Sequence, residues 1–298
     1  MARPALSIVN GNPELLAASC ALVAVVAVVA GVGMDTLGKL ATAEADTWQV
    51  VFLRWLYGML LTLPLFLWHQ GGRRAGLLQG SRRMHLLRGA LSILGSYCLY
   101  YALGALPLST ALSIYFTEPL LTLLLASLVL GERVPPRCWL AAALGFVGVL
   151  LIARPWHDGG QLGSSLVALL GAACWAALSV ITKHLGRSES TVSLMLWLAV
   201  LATLLSVPFA AQGWRPLEWS DHGLLLGVAA LGSVYSFFWI VGLKLGPAAI
   251  MANMLYLALP LAYVVGWLVF DERPGSAVLA GSAVIVAAVY LATQRAVD

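Results

Sequence analysis

Charged residues are scarce in this chain. Lys and Arg number 17 and Asp and Glu 13 among 298 residues, so that about 10% of the chain is charged. Soluble globular proteins carry about 25% charged residues. Hydrophobic residues make up 61% of the sequence, and its mean hydropathy is +0.90. This composition excludes an ordinary soluble domain and indicates an integral membrane protein that has lipid as its surroundings.

The sequence also lacks the patterns of several enzyme classes. It contains no G-x-x-x-x-G-K-[ST] loop for ATP and no H-E-x-x-H pattern for zinc. The four cysteines form no C-x-x-C pair, and we interpret them as small apolar residues: Cys20, Cys98, Cys138 and Cys174. The five histidines fall in loops or at span ends, where we expect solvated side chains: His69, His85, His157, His184 and His222. We therefore expect no metal, no cofactor and no enzymatic activity.

What the sequence does contain is a series of long apolar runs. A membrane-spanning helix needs about 20 such residues. Ten runs approach this length, at residues 15–36, 48–68, 86–105, 109–130, 137–153, 163–183, 191–211, 223–243, 247–270 and 275–293. They lack the alternation of barrel strands, so lipid leaves only the helix to satisfy their backbone groups. The predicted fold class is all-α, with ten transmembrane helices.

Basic residues are unevenly distributed between alternate linkers. With the N-terminus inside the cell, the inner segments hold 12 of the Lys and Arg residues and the outer segments 4, while Arg54 lies within a span. Positively charged segments are retained in the cytoplasm. We therefore expect both termini to be cytoplasmic. The uneven distribution of basic residues is explained by membrane topology, so the net charge of +4 does not indicate nucleic acid as a partner.

The chain contains an internal repeat. Three residues recur 140 positions later and two recur 144 positions later: Pro107 as Pro247, Glu132 as Glu272, Arg133 as Arg273, Lys39 as Lys183 and Pro64 as Pro208. Each unit holds five spans, which is an odd number, so the second unit enters the membrane inverted. We predict five-helix repeats at residues 1–155 and 156–298. Inverted repeats of this kind are typical of transporters with a site between the halves.

Two stretches resemble a known family. The sequence E-P-L-L-T-L-L-L-A-S-L-V-L-G-E-R at Glu118–Arg133, followed by Gly145-x-x-Gly148, is similar to the EamA-type, ten-helix branch of the drug/metabolite transporter superfamily. The resemblance implies a bacterial inner-membrane transporter of small metabolites, often an exporter. It also implies a basket-like bundle, with the third, fourth, eighth and ninth spans around a central cavity and the fifth and tenth outermost.

The second repeat departs from this motif. Ala258 stands where the first repeat has Glu118, and Asp271 stands where it has Gly131. We therefore expect the charged part of the cavity to come from the first half. In its abundance of aromatic residues, the chain also resembles the exporters of aromatic amino acids within this branch.

Glu118 is a candidate for substrate or proton binding. It lies about nine residues from either end of the fourth predicted span, and an ionisable group at that depth should face the bundle interior. Pro119 follows it and removes a helix hydrogen bond. A cavity carboxylate that takes a proton or meets an ammonium group is one interpretation. A hydrogen-bonded structural Glu is the other.

Three basic residues near span ends have two interpretations each. Arg54 could hold a substrate carboxylate in a bidentate pair. It could instead extend to the outer interface, or pair with Asp35, Glu44 or Asp46. Lys39 and Lys183 end corresponding spans, where they could serve as interface anchors or contact substrate.

Aromatic and polar residues in five spans form the candidate substrate site. They are Tyr97, Tyr101, Tyr115, Trp175, Tyr235, Trp239, Asn253 and Tyr256. Tyr97 and Tyr101 lie one turn apart in the third span, and Tyr235 and Trp239 repeat this spacing in the eighth. We predict that these two pairs face one solute, since rings with polar tips suit an apolar, planar or cationic molecule. Ordinary packing of the bundle is the alternative.

The sequence therefore predicts a secondary transporter that works by alternating access. Its predicted partners are membrane lipids and a small-molecule substrate. We predict that this substrate is an aromatic or apolar amino acid that is moved outward. One alternative is a lipid-flippase-like transporter, which requires a lateral opening. The other is an intramembrane lipid-modifying enzyme, which requires a cluster of catalytic polar residues at one face.

Overall fold

A computed structural model of the chain describes residues 13–70, 81–105, 114–153, 162–270 and 276–293, and all regular elements in these ranges are helical. The helices are α1 (Pro13–Glu44), α2 (Thr47–Gln70), α3 (Arg82–Ala105), α4 (Glu118–Leu130), α5 (Pro136–Ala153), α6 (Leu162–Leu185), α7 (Thr191–Ala210), α8 (Trp219–Leu245), α9 (Ala248–Met254), α10 (Ala258–Phe270) and α11 (Ser276–Thr293). A 3₁₀ turn, Leu255–Leu257, joins α9 to α10. The ninth predicted span is thus a broken helix, and α11 is the tenth.

Six stretches of the described helices are long and apolar enough to cross a membrane by length and composition: Ser19–Thr42, Thr47–Trp68, Gly163–Leu185, Thr191–Ala210, Trp219–Leu245 and Ala248–Val265. Shorter apolar helices occupy Glu118–Leu130, Pro136–Leu151 and Leu279–Ala288. The predicted all-α, ten-span membrane fold is confirmed. Because lipid offers the backbone no hydrogen-bond partners, each apolar run forms its bonds internally as a helix.

The repeat register is visible in the helix ends. Helices α4 and α5 begin and end 140 positions before α10 and α11 do. Pro64 and Pro208, which are 144 positions apart, each lie inside a helix, α2 and α7 respectively. The predicted boundary between repeats at residues 155 and 156 lies outside the described residues.

The largest helix interfaces join opposite halves of the chain. Helix α1 packs along α8, α2 along α7, α3 along α6 and α5 along α11. In the repeat register the α1–α8 and α3–α6 interfaces are equivalent, while α2–α7 and α5–α11 each pair a helix with its own counterpart. The two halves are therefore interleaved around a pseudo-twofold axis.

Glycines permit the closest of these contacts. A Cβ atom at Gly31 would lie 3.1 Å from the ring of Tyr235, and one at Gly95 would lie 2.9 Å from Nε1 of Trp175. Gly31 and Trp175 are 144 positions apart, and Gly95 and Tyr235 are 140 apart. The two contacts are thus the same contact in the repeat, with glycine and aromatic ring exchanged between the helices.

Candidate functional site

A central cavity of about 180 Å³ lies between the two halves. The third, fourth, eighth and ninth spans line it, as the resemblance implied, and α1, α2 and α6 line it as well. Its polar and aromatic lining residues are Asp35, Thr36, Lys39, Arg54, Tyr115, Phe116, Glu118, Trp175 and Tyr235. Residues from Val28 to Lys39 make α1 the largest contributor, which the sequence did not indicate.

Asp35 is a cavity residue that the site prediction missed. The apolar run predicts a first span that ends at residue 36, which makes Asp35 a terminal residue and a candidate partner of Arg54. Helix α1 continues to Glu44, and Asp35 therefore lies well within it. Its side chain is exposed even so, because it faces the cavity. The four-residue spacing of Asp35 and Lys39 on one helix face was the available signal.

Glu118 lies at a helix start rather than in the middle of a continuous helix. Residues 116–117 form a turn, and α4 begins at Glu118 with Pro119 in its first turn. The Thr117 side chain donates to the carbonyl oxygen of Ile114 at 2.7 Å. Glu118 is 6% exposed and lines the cavity beside Tyr115. A carboxylate in a first helical turn is favoured by the helix dipole, so this position suits an acid that faces the cavity.

The counterpart of this turn lies in the ninth span. Helix α10 begins at Ala258, 140 positions after Glu118, and the 3₁₀ turn precedes it. Leu255 and Ala258 line the cavity opposite the first-half turn. Broken helices at matched positions are typical of transporter binding sites. Because Ala258 replaces the acid, the two cavity carboxylates, Asp35 and Glu118, both come from the first half, as predicted for its charged part.

Arg54 is buried within the bundle. It is 4% exposed, and its guanidinium carbon lies 4.9 Å from the centroid of the Trp55 ring. Its Nη1 atom has no hydrogen-bond partner among the described residues. Of the interpretations offered for Arg54, extension to the outer interface is therefore wrong. Arg54 lines the cavity in the same chamber as Asp35 and Glu118, so this chamber presents charges of both signs.

Three of the predicted rings line the cavity. Tyr115 comes from the helical residues just before the turn at residues 116–117, Trp175 from α6 and Tyr235 from α8. The Tyr235 ring stacks on Trp239 with centroids 5.7 Å apart and planes 14° apart. Trp239 lies behind this layer, and its Nε1 donates to the hydroxyl of Ser179 at 3.3 Å. Trp239 thus supports the cavity wall from α8 and α6.

The structure places the other predicted pair, Tyr97 and Tyr101, away from the central cavity. Tyr97 stacks on Trp48 with centroids 4.2 Å apart, and Tyr101, 42% exposed, lies beside Tyr97. The 140-residue register matches Tyr235 and Trp239 with residues 95 and 99, two positions before Tyr97 and Tyr101. Two residues turn a helix by about 200°, so the two tyrosines lie on the opposite face. The predicted arrangement, in which Tyr97 and Tyr101 face one solute together with Tyr235 and Trp239, is not formed in this structure.

Asn253 and Tyr256 are packing residues of the ninth span in this structure. Asn253 Nδ2 donates to the carbonyl oxygens of Ala249 at 2.9 Å and Cys138 at 3.4 Å. Tyr256 is fully buried, and a Cβ atom at Gly145 would lie 2.5 Å from its ring. Both side chains hold the ninth span against α5.

One end of the bundle is closed by a set of polar contacts. Lys183 at the end of α6 binds Glu132 at 2.5 Å and the carbonyl oxygen of Gly246 at 2.6 Å. The other carboxylate oxygen of Glu132 accepts from the backbone N–H of Ala248 at 3.2 Å. Gly131 turns the chain with φ of 64°, a left-handed conformation that favours glycine, and so directs Glu132 to this position. Lys183 is therefore a bridging residue and not an interface anchor.

A buried histidine–glutamate contact lies near this closed end. His85 Nε2 lies 2.7 Å from Oε1 of Glu189, and both side chains are 2% exposed. The expectation that His85 is solvated is therefore wrong. Lys244 donates to the carbonyl oxygen of Glu189 at 2.5 Å. The first turns of α3 are thus held against α6–α8, which an isolated histidine in the sequence could not indicate. Within the described residues, no three metal-ligating side chains cluster.

Comparison with known proteins agrees with this architecture. The EamA-like transporter family matches residues 18–154 and 162–294. A solved crystal structure that is 18% identical shows the same fold, with a TM-score of 0.79 over 93% of this chain and 96% of the other.

Three relatives are named transporters. An S-adenosylmethionine uptake transporter of Rickettsia felis is 28% identical over 85% of each chain. A riboflavin transporter of Rhizobium johnstonii is 33% identical over 83% of this chain and 79% of its own. The pseudopaline exporter CntI of Pseudomonas aeruginosa is 28% identical over 86% of this chain and 89% of its own. The chain therefore belongs to the EamA-like transporter family of multi-pass membrane proteins that move small molecules, and it is not an enzyme.

Proposed function

We propose that this protein exports a zwitterionic amino acid with an aromatic or apolar side chain by alternating access across the bacterial inner membrane. The observation that carries this proposal is the composition of the central cavity. It combines two carboxylates, Asp35 and Glu118, with the guanidinium of Arg54 and the rings of Tyr115, Trp175 and Tyr235.

Each part of an amino acid has a complementary group in this cavity. The α-ammonium group meets Asp35 or Glu118, and the α-carboxylate meets Arg54, which carries an unpartnered donor. A planar or apolar side chain packs between the rings, where stacking contributes about 0.5–1.5 kcal/mol per ring beyond burial. The remaining predicted contact residues, Tyr97, Tyr101, Trp239, Asn253 and Tyr256, are assigned no direct contact in this conformation.

The distribution of closed and open ends supports alternating access. The Glu132–Lys183 pair closes one end, which the predicted topology places in the cytoplasm. The cavity extends toward Lys39 and Val265, near the ends of α1 and α10 that this topology places outside. The conformation is then outward-facing. Exchange of the two repeats' conformations would open the inner end and close the outer one.

A second candidate substrate is a solute with an additional positive charge. The central cavity holds two carboxylates, Asp35 and Glu118, and two basic side chains, Arg54 and Lys39. Lys39 lies toward the outer end, so the remainder of the cavity has more acid than base, which favours such a cation. The S-adenosylmethionine uptake transporter of Rickettsia felis, 28% identical, belongs to the same family. The surplus carboxylate would then neutralise a sulfonium or second ammonium group instead of taking a proton.

Transport into proteoliposomes distinguishes these candidates. The panel contains labelled tryptophan, phenylalanine, threonine, glutamate, S-adenosylmethionine and riboflavin, each with and without an imposed proton gradient. We expect saturable movement of tryptophan or phenylalanine, accelerated when the same solute is loaded on the other side. Asp35→Asn should abolish it, and Glu44→Gln, which removes an exposed acid of the same helix, should not. Movement of S-adenosylmethionine alone would select the second candidate, and movement of no amino acid would overturn the first.

A further inference from the structure

A second, smaller cavity adjoins the central one. It has a volume of about 30 Å³, and the two cavities share Arg54, Trp175 and Tyr235 in their walls. Its other polar or aromatic lining residues do not line the central cavity. They are Trp55, Arg88, Ser179, Thr182, Ser236 and Trp239. A single water needs roughly 10–15 Å³, so this space accommodates one small polar group.

Among the residues that line this space, four buried hydrogen-bond donors have no partner within the part of the chain that the structure describes. They are Nη1 of Arg54, Nη2 of Arg88, Nε1 of Trp55 and Nε1 of Trp175. The two arginines are 4% and 1% exposed, so solvent at the surface of the bundle does not reach them. Donors of this kind, two of them cationic, require an acceptor, since unpaired buried polar groups are costly.

The other atoms of Arg88 are fixed by neutral groups. Its Nε donates to the hydroxyl of Thr182 at 3.1 Å, and its Nη1 donates to the carbonyl oxygen of Leu194 at 3.3 Å. Arg88 takes no part in the Glu132–Lys183 ion pair. Glu189, whose charge acts on Arg88, is itself bound by His85 at 2.7 Å. The guanidinium is therefore held in place, and its Nη2 is left without a partner in a residue that lines the small cavity.

We propose that the small cavity is an anion subsite that receives the carboxylate of the transported solute, with Arg88 and Arg54 as its charged donors. The proposal rests on the proposed transport of an amino acid. A water molecule accepts at most two hydrogen bonds and carries no charge, so it would neither satisfy the four donors nor offset the charge of the buried guanidinium groups. A carboxylate has about four acceptor sites and one negative charge, so it can accept from the guanidinium groups and from the indole N–H of Trp175 at once and offset part of their positive charge.

A carboxylate reaches this subsite from the central cavity past the shared residues. The substrate is then oriented with its carboxylate toward α3 and α6 and its ammonium toward Asp35 and Glu118. Arg88 becomes a specificity-determining residue, since an amine that lacks the carboxylate leaves its charge unpaired. A free inorganic anion shares this chemistry, so the experiment includes both sources.

The test measures thermal unfolding of the purified full-length protein in sodium formate, sodium chloride and sodium gluconate at equal ionic strength. A ligand that binds the folded state raises the unfolding midpoint. We expect formate to raise it saturably, by about 2–4 °C relative to gluconate. Arg88→Gln should remove this rise. Arg83→Gln, which changes an exposed arginine of the same helix, should retain it.

A second variant covers the case in which Arg88→Gln does not fold. Trp175→Phe keeps a ring in place and removes the Nε1 donor, so the half-saturating formate concentration should rise by about tenfold. A rise with chloride but none with formate would overturn the carboxylate assignment in favour of an inorganic anion. No rise with either salt, or a formate effect unchanged in these variants, would overturn the subsite altogether. This test requires no transport, so its outcome is independent of the proteoliposome panel.

Discussion

The Nζ atom of Lys183 lies 2.5 Å from Oε1 of Glu132, and the two side chains are largely buried, with 13% and 17% exposure. Lys183 also binds the carbonyl oxygen of Gly246, and Glu132 also binds the N–H of Ala248. One ion pair thus joins the fourth, sixth and ninth spans. Rearrangement of the bundle that opens this end must separate these groups.

Loss of the ion pair should increase access from the closed end. Cys20 is a native reporter, because it is 1% exposed and a Cβ atom at Gly246 would lie 3.0 Å from its sulfur. In protein whose other cysteines are replaced by Ala, we expect Lys183→Ala to raise the rate of maleimide labelling of Cys20 by about tenfold, equivalent to about 1.4 kcal/mol. Arg187→Ala, at an exposed position just beyond α6, is the control. Equal rates in all three proteins would show that the pair does not control access.

The cavity carboxylates should be needed for transport and not for folding. Glu118→Gln retains the size and most of the hydrogen bonding of the side chain. A hydrogen bond to a charged group contributes about 1.5–3 kcal/mol, so we expect at least a tenfold loss of transport. The unfolding midpoint should stay near that of the wild type. Transport at the wild-type rate across pH would remove Glu118 from the mechanism.

Rings in the cavity should matter more than the stack on α3. Tyr235→Leu should weaken substrate binding by several-fold, because stacking contributes about 0.5–1.5 kcal/mol beyond burial. Tyr101→Leu should bind substrate like the wild type, since Tyr101 lies outside the cavity. Binding is measured by competition in proteoliposomes. If Tyr101→Leu weakened substrate binding and Tyr235→Leu did not, Tyr101 would be a substrate-binding residue, as the sequence predicted.

The interface between α5 and α11 should not tolerate a larger residue at Gly148. A Cβ atom there would lie 2.7 Å from Ile285 and 2.9 Å from the carbonyl oxygen of Gly281. We expect Gly148→Ala to destabilise the fold by about 1–3 kcal/mol through overpacking. Gly223→Ala is the matched control, because a Cβ atom at Gly223 meets nothing within 4 Å. Thermal unfolding of the two variants, compared with wild type, measures the difference.

The predicted topology is tested by labelling from each side of the membrane. In a cysteine-free protein, Gly72→Cys should react with an impermeant maleimide only from the cytoplasm. Gly160→Cys should react only from outside. The charge distribution between alternate linkers is the reason for this expectation. Reaction of Gly160→Cys from the cytoplasm alone would show that the second repeat does not have the predicted inverted orientation.

The fold was largely predictable because apolar length and repeat spacing act locally along the chain. The lining of the cavity was less predictable, because the face of a helix on which a residue lies depends on its exact position along that helix. A shift of two residues separated Tyr97 and Tyr101 from the positions that match Tyr235 and Trp239. Asp35 was missed because α1 is longer than its apolar run. The last two turns of α1 contain too many polar residues to be predicted as part of a membrane span. Burial of His85 and Arg88 depends on partners about 100 residues away, such as Glu189 and Thr182, which sequence spacing does not reveal.

The pairing of helices across the halves also bears on how the chain assembles. The third span packs on the sixth, the second on the seventh and the first on the eighth. Each of these pairs is therefore nested within the next along the chain. Synthesis proceeds from the N-terminus, so the sixth, seventh and eighth spans each enter a membrane that already contains their partner. Helix pairing therefore begins with the spans at the middle of the chain and proceeds toward its ends. The first three spans must therefore remain in the membrane without their principal partners until the second half follows. Neither half alone would bury the surfaces that make it stable.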